Sequence, residues 1–175
     1  MQSPNKRMNV RELVMLSLLI AIALVLSYFE RFIPMTIAVP GVKLGLANVV
    51  TLLCLHLYKP SRIYLLIIVR VLLASLFIGS MMSFWYSLTG GLLSGTAMMV
   101  TAWLLKDKVS LIGISAIGAI FHNIGQLIIV TIITDSFYVA LGYFPMLLIA
   151  GIVTGIFIGI VGKVTKPYLI QVAKA

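Results

Sequence analysis

Six long apolar runs, each closed by charge, proline or glycine, set the pattern of this chain. They are unbroken, without the strict alternation over about ten residues that marks a transmembrane strand, so the pattern predicts helices. These helices are expected over residues 13–28, 44–58, 63–77, 85–105, 111–133 and 144–161. Asn9, with Glu12 three residues on, has the spacing of a capping box that opens the first. The segment 30–43 contains Pro34, Pro40 and Gly41, which exclude a continuous helix, and it forms the longest connection. Lys59-Pro60-Ser61 parts the second helix from the third, residues 79–83 part the third from the fourth, and Lys106-Asp107-Lys108 closes the fourth. Pro145 is placed in the first turn of the sixth helix, where proline is tolerated.

The composition moves these helices into a membrane. A chain of 175 residues that is 62% hydrophobic and 10% charged, with mean hydropathy +1.18, cannot hide its apolar surface in one soluble core of this size. No signal-peptide pattern stands apart from the runs, so the first is read as retained. Trp85 and Trp103 are eighteen positions apart on the fourth helix, about 27 Å, which lets both rest at an interface. The expected fold is all-α: a single domain over residues 1–175, a bundle of six transmembrane helices.

The net charge of +9 then reads as an orientation signal, which removes nucleic acid as a partner. Six crossings leave both termini on one side. Lys6, Arg7, Arg11, Lys59, Arg62, Lys106, Lys108, Lys163, Lys166 and Lys174 fall on that side, against Arg31 and Lys43 on the other, with Arg70 inside a helix. An excess of this kind marks the cytoplasmic face, so both termini are expected to be cytoplasmic, with anionic lipid as an added attraction.

Few residues offer chemistry. One cysteine, Cys54, excludes an internal disulfide and any multi-thiolate metal site and reads as a small residue in a helix face. His56 and His122 lie far apart with no cluster of further ligands, so neither a metal site nor a cofactor is expected. No phosphate loop of the Walker type is present. Four acidic residues in all, with no aspartate pair, cannot build the carboxylate and magnesium cluster that handles a diphosphate. No nucleophile and base can be assigned, so no catalytic residue is expected and the chain is read as a non-enzyme.

What stands out instead is polarity at membrane depth, which is costly and marks functional positions by default. Gly118 to Gln126 sets His122, Asn123 and Gln126 among Ile, Leu and Ala, three and four residues apart, as one polar patch about a turn tall. Arg70 and His122 both lie roughly 13 to 16 Å from the basic surface, deep enough to share one cavity. Arg70 needs a partner there, with Glu30, Asp135, backbone carbonyls and an anionic ligand as candidates. Asn48 sits near the outer end of the second helix, with Lys43 just above it. Glu30, Lys43, Asn48, Arg70, His122, Asn123 and Gln126 are thus the candidate ligand-binding residues of an outward-opening pocket capped by the 30–43 loop. For Glu30, Arg31, Lys43 and Asp135, plain solvation at the interface is the other reading.

Several of these residues fall in segments with a family resemblance. Pro40-Gly41-Val42-Lys43-Leu44-Gly45-Leu46-Ala47-Asn48, Arg70, Gly90-Gly91-Leu92-Leu93-Ser94, and Gly118-Ala119 followed by His122-Asn123-Ile124-Gly125-Gln126 resemble the bacterial membrane family labelled heptaprenyl diphosphate synthase component I, or Gx transporter family. That family in turn looks like the substrate-binding S components of energy-coupling factor (ECF) transporters, which are six-helix proteins for micronutrients. The resemblance implies a multi-pass protein of the bacterial plasma membrane with a small-molecule site in the outer half of the bundle. It also implies docking of the first helix onto a transmembrane coupling subunit driven by two ABC-type ATPases. The S-component pattern Ala-x-x-x-Ala reads here as Ser17-Leu18-Leu19-Ile20-Ala21, which makes Ser17 and Ala21 the expected docking pair. The alternative function is a membrane subunit associated with polyprenyl diphosphate synthesis.

Overall fold

The computed structural model of the protein describes residues 9–32, 45–77 and 80–174. Among them it is all-helical: α1 (Val10–Phe29), α2 (Asn48–Cys54), α3 (Pro60–Phe77), α4 (Met81–Leu105), α5 (Leu111–Thr134) and α6 (Phe137–Lys174). Five are long and apolar enough to cross a membrane. The helix starts follow local chemistry. Glu12 accepts the N–H of Asn9 at 3.3 Å ahead of α1. Ser80 Oγ accepts from Ser83 N at 3.2 Å at the start of α4, and Ser110 Oγ accepts from Gly113 N at 3.2 Å at the start of α5. Each satisfies an amide that a helix start leaves without an intrahelical partner. Pro60 opens α3, a position where its missing N–H is no loss.

The second apolar run departs from the expected 44–58 span. Only Asn48–Cys54 is α-helix, and the chain on either side tightens into three-residue turns: Asn48 N donates to Gly45 O at 2.8 Å and His56 N to Leu53 O at 3.2 Å. All seven residues of α2 are buried, and the helix touches each of the other five. A helix sheathed in protein has no lipid-facing side and need not match the hydrocarbon thickness, so a short one suffices. Its entry turns on Gly45, whose φ of +82° is open to glycine and disfavoured for other residues.

The sixth helix is also longer than the expected 144–161. It runs 38 residues, with both Pro145 and Pro167 inside it, so Pro145 lies in its third turn and not its first. Proline ends a soluble helix more readily than one in lipid, where neighbouring helices compensate for the lost hydrogen bond.

α5 makes its broadest contacts with α4 and α6. The main core joins Leu16, Leu19 and Ala23 of α1 to Leu52, Leu66, Met98 and Ile158, and a second cluster gathers Tyr86, Leu127, Val130 and Leu147. The glycines at four-residue spacing serve this packing. A methyl at Gly155 would stand 2.6 Å from Ala116 Cα and one at Gly159 2.5 Å from Ile112 Cα, so α5 and α6 touch backbone to backbone. Large apolar side chains such as Trp103, Ile132 and Phe157 remain exposed on the outside, as lipid-facing residues would. Arg62 Nη1 meets Glu12 Oε2 at 2.8 Å, and Arg11 Nη2 donates to Val172 O at 3.0 Å. The start of α1, the start of α3 and the end of α6 therefore share one end of the bundle.

Candidate ligand-binding site

At the far end of α1 the chain turns through Glu30–Phe32, and Glu30 is buried at 5% exposure. Its carboxylate accepts the N–H of Gly45 and so ties the end of α1 to the entry of α2. Glu30, Gly45, Arg70 and His122 line one small cavity of about 10 Å³, the size of a single water, with Ser27, Ser87, Val71 and Ala74 completing the wall. Four helices and the α1–α2 connection thus converge on it.

His122 is held by absence of side chains on both sides. A methyl at Gly45 would stand 3.1 Å from its Cδ2, and one at Gly90 2.8 Å from its Cε1 and 3.0 Å from its own carbonyl. The imidazole is therefore clamped between α4 and the turn before α2. Gly91, one residue further along α4, makes room for Arg70: a methyl there would lie 3.2 Å from Nη2. Arg70 is 4% exposed, and its Nε and Nη2 have no hydrogen-bond partner among the described residues. A buried guanidinium with open donors is an expensive arrangement unless something else completes it.

Asn48 belongs to the same cluster. It is buried, its amide nitrogen would be 2.8 Å from a methyl on Gly45, and neither of its polar atoms has a partner among the described residues. Gln126 is fully buried one turn beyond His122 on α5. Asn123 goes elsewhere: its Nδ2 donates to Leu147 O at 2.6 Å, facing α6, where the missing side chain of Gly151 leaves it space. The three polar residues of α5 therefore do not form one patch, because neighbouring positions on a helix point about 100° apart. Asp135 is exposed at the end of α5, apart from the cavity that holds Arg70. Lys43 lies outside the described residues. The expectation omitted Ser27 and Ser87; Ser27 stands three residues before Glu30 on α1, a spacing that was readable once Glu30 was taken as inward-facing.

The family model for heptaprenyl diphosphate synthase component I matches residues 19–165, most of the chain. The chain belongs to that family. A solved structure of the S component of a bacterial ECF transporter is similar over 93% of this chain and 97% of its own, at 26% identity and a TM-score of 0.59. No curated protein matches. Among the described residues, no three His, Cys, Asp or Glu side chains stand close enough to hold a metal ion.

Proposed function

We propose that this protein is the membrane-embedded substrate-binding subunit of an ATP-driven ECF-type importer in the bacterial plasma membrane. The observation that carries the reading is Arg70: a buried guanidinium with two open donor nitrogens, lining a cavity with Glu30 and His122, in a bundle similar to an S component. Such a group is best completed by the anionic or electron-rich part of a ligand. Asn48, Gln126 and Lys43 would add hydrogen bonds around it, and the 30–43 loop would close over the top. The ligand is a small micronutrient or an isoprenoid- or quinone-related compound.

Coupling would run through α1. Ser17 and Ala21 are exposed on the same face as Val14, Leu18 and Val25, and small residues there let a second membrane helix approach closely. The partners are a transmembrane coupling subunit and two ABC-type ATPases. Purification of the tagged protein from its host checks this. The expected result is co-purification of such partners with the parent chain and their loss with Ser17→Trp or Ala21→Trp, at unchanged melting temperature. Absence of any coupling subunit or ATPase from the parent preparation would overturn the reading.

The family description favours one further reading, a membrane subunit associated with polyprenyl diphosphate synthesis. With four acidic residues in the chain, it would act beside a catalytic partner. It predicts that deleting the chain changes the length or amount of prenyl products.

A further inference from the structure

At the end of the bundle opposite Glu30 a cleft of about 300 Å³ opens between the start of α1, the turn after α2 and the end of α6. Arg11, His56 and Tyr58 give it a polar wall; Met15, Leu57 and Ile170 give it an apolar one. Glu12 also lines it, but its carboxylate is bound to Arg62 at 2.8 Å, so that pair brings no net charge. Arg11 uses one N–H on Val172 O and keeps further donors on the same guanidinium. Lys166 stands near: partial burial first, and the Lys166 charge second, hold the His56 imidazole below the ordinary histidine range. Two positive charges therefore bear on this cleft: Arg11 in its wall, and Lys166 close to His56 and one turn before the lining residue Ile170 on α6. On the α6 side the flanking residues Val164, Tyr168 and Val172 are apolar and exposed.

We propose that this cleft holds the phosphodiester headgroup of an anionic membrane lipid. Arg11 and Lys166 neutralise the phosphate, the His56 ring and Tyr58 hydroxyl offer hydrogen bonds, and the acyl chains run down the exposed apolar face of α6. A soluble phosphate would gain the charges but nothing from Met15, Leu57 and Ile170, and the mixed lining selects the lipid. Basic pockets between helices at a membrane surface bind such headgroups, and each basic side chain contributes about a fivefold gain in affinity. The inference is independent of the ligand site at Arg70.

Native mass spectrometry of the purified full-length chain, titrated with phosphatidylglycerol or phosphatidylcholine, tests it. One phosphatidylglycerol is expected to bind at least tenfold more tightly than phosphatidylcholine. Arg11→Gln and Lys166→Gln should each lower that preference about fivefold, and Arg11→Lys should keep it. Melting temperatures of the variants in phosphatidylcholine nanodiscs separate lost binding from lost fold. Equal binding of the two lipids, or a full preference in a folded Arg11→Gln/Lys166→Gln double variant, would overturn the proposal. So would stabilisation by glycerol 1-phosphate in phosphatidylcholine nanodiscs as large as that by phosphatidylglycerol, because the site would then take a soluble anion.

Discussion

Arg70 and His122 owe their positions to the small residues around them. Gly45, Gly90 and Gly91 leave the volume that the imidazole and guanidinium fill, and each of those gaps is narrower than a methyl group needs. Gly90→Ala should therefore press on both the ring and the backbone carbonyl of His122. The backbone cannot swing aside as a side chain can, so the change is expected to cost about 1 to 3 kcal/mol, read as a lower melting temperature in detergent. At this scale the sequence was informative about which polar residues are buried in the bundle, because Arg, His, Asn and Gln among Ile and Leu are conspicuous. It was less informative about direction. Asn123 follows His122 immediately, yet one faces α6 and the other the cavity, and only the packing of α5 against both α4 and α6 distinguishes them.

That difference becomes testable at the level of the helices. The Asn123 bond to Leu147 O ties α5 to α6 in the middle of the bundle. Asn123→Ala should lose about 1 kcal/mol of stability, measured by unfolding in mixed micelles, and leave ligand retention within about twofold. The five long helices were legible from apolar runs and their charged or proline-bearing ends. The place of α2 was legible too, but its shortness and full burial were not, because an apolar run surrounded by protein looks the same in sequence as one surrounded by lipid. The ends of α6 were hidden for a different reason: Pro145 and the lysines from Lys163 onward read as boundaries, whereas the helix continues through both. Lys163 and Lys166 extend the helix beyond the apolar layer, Lys163 exposed and Lys166 half-buried near His56.

For the molecule as a whole, the uneven distribution of positive charge and the ion pair between Glu12 and Arg62 describe the same end. We propose that this end is the cytoplasmic one, as the positive-inside rule expects. In a Cys54→Ser background, Lys59→Cys should react with a membrane-impermeant maleimide only in inverted vesicles, and Asp135→Cys only in intact cells. The reverse pattern would turn the pocket at Glu30 and Arg70 toward the cytoplasm and remove its role in capture from outside. The likeness to an S component extends over 93% of the chain.

The central claim is that Arg70 completes its hydrogen bonds with a captured small molecule. The most direct test is native mass spectrometry of the protein purified from its host, beside Arg70→Met prepared in the same way. The account predicts a retained anionic or electron-rich small molecule on the parent chain and its loss from the variant, with affinity lowered about tenfold to hundredfold, the range for a hydrogen bond to a charged group. A folded Arg70→Met that retains the same molecule at the same occupancy would contradict it, as would a parent chain that carries nothing but lipid.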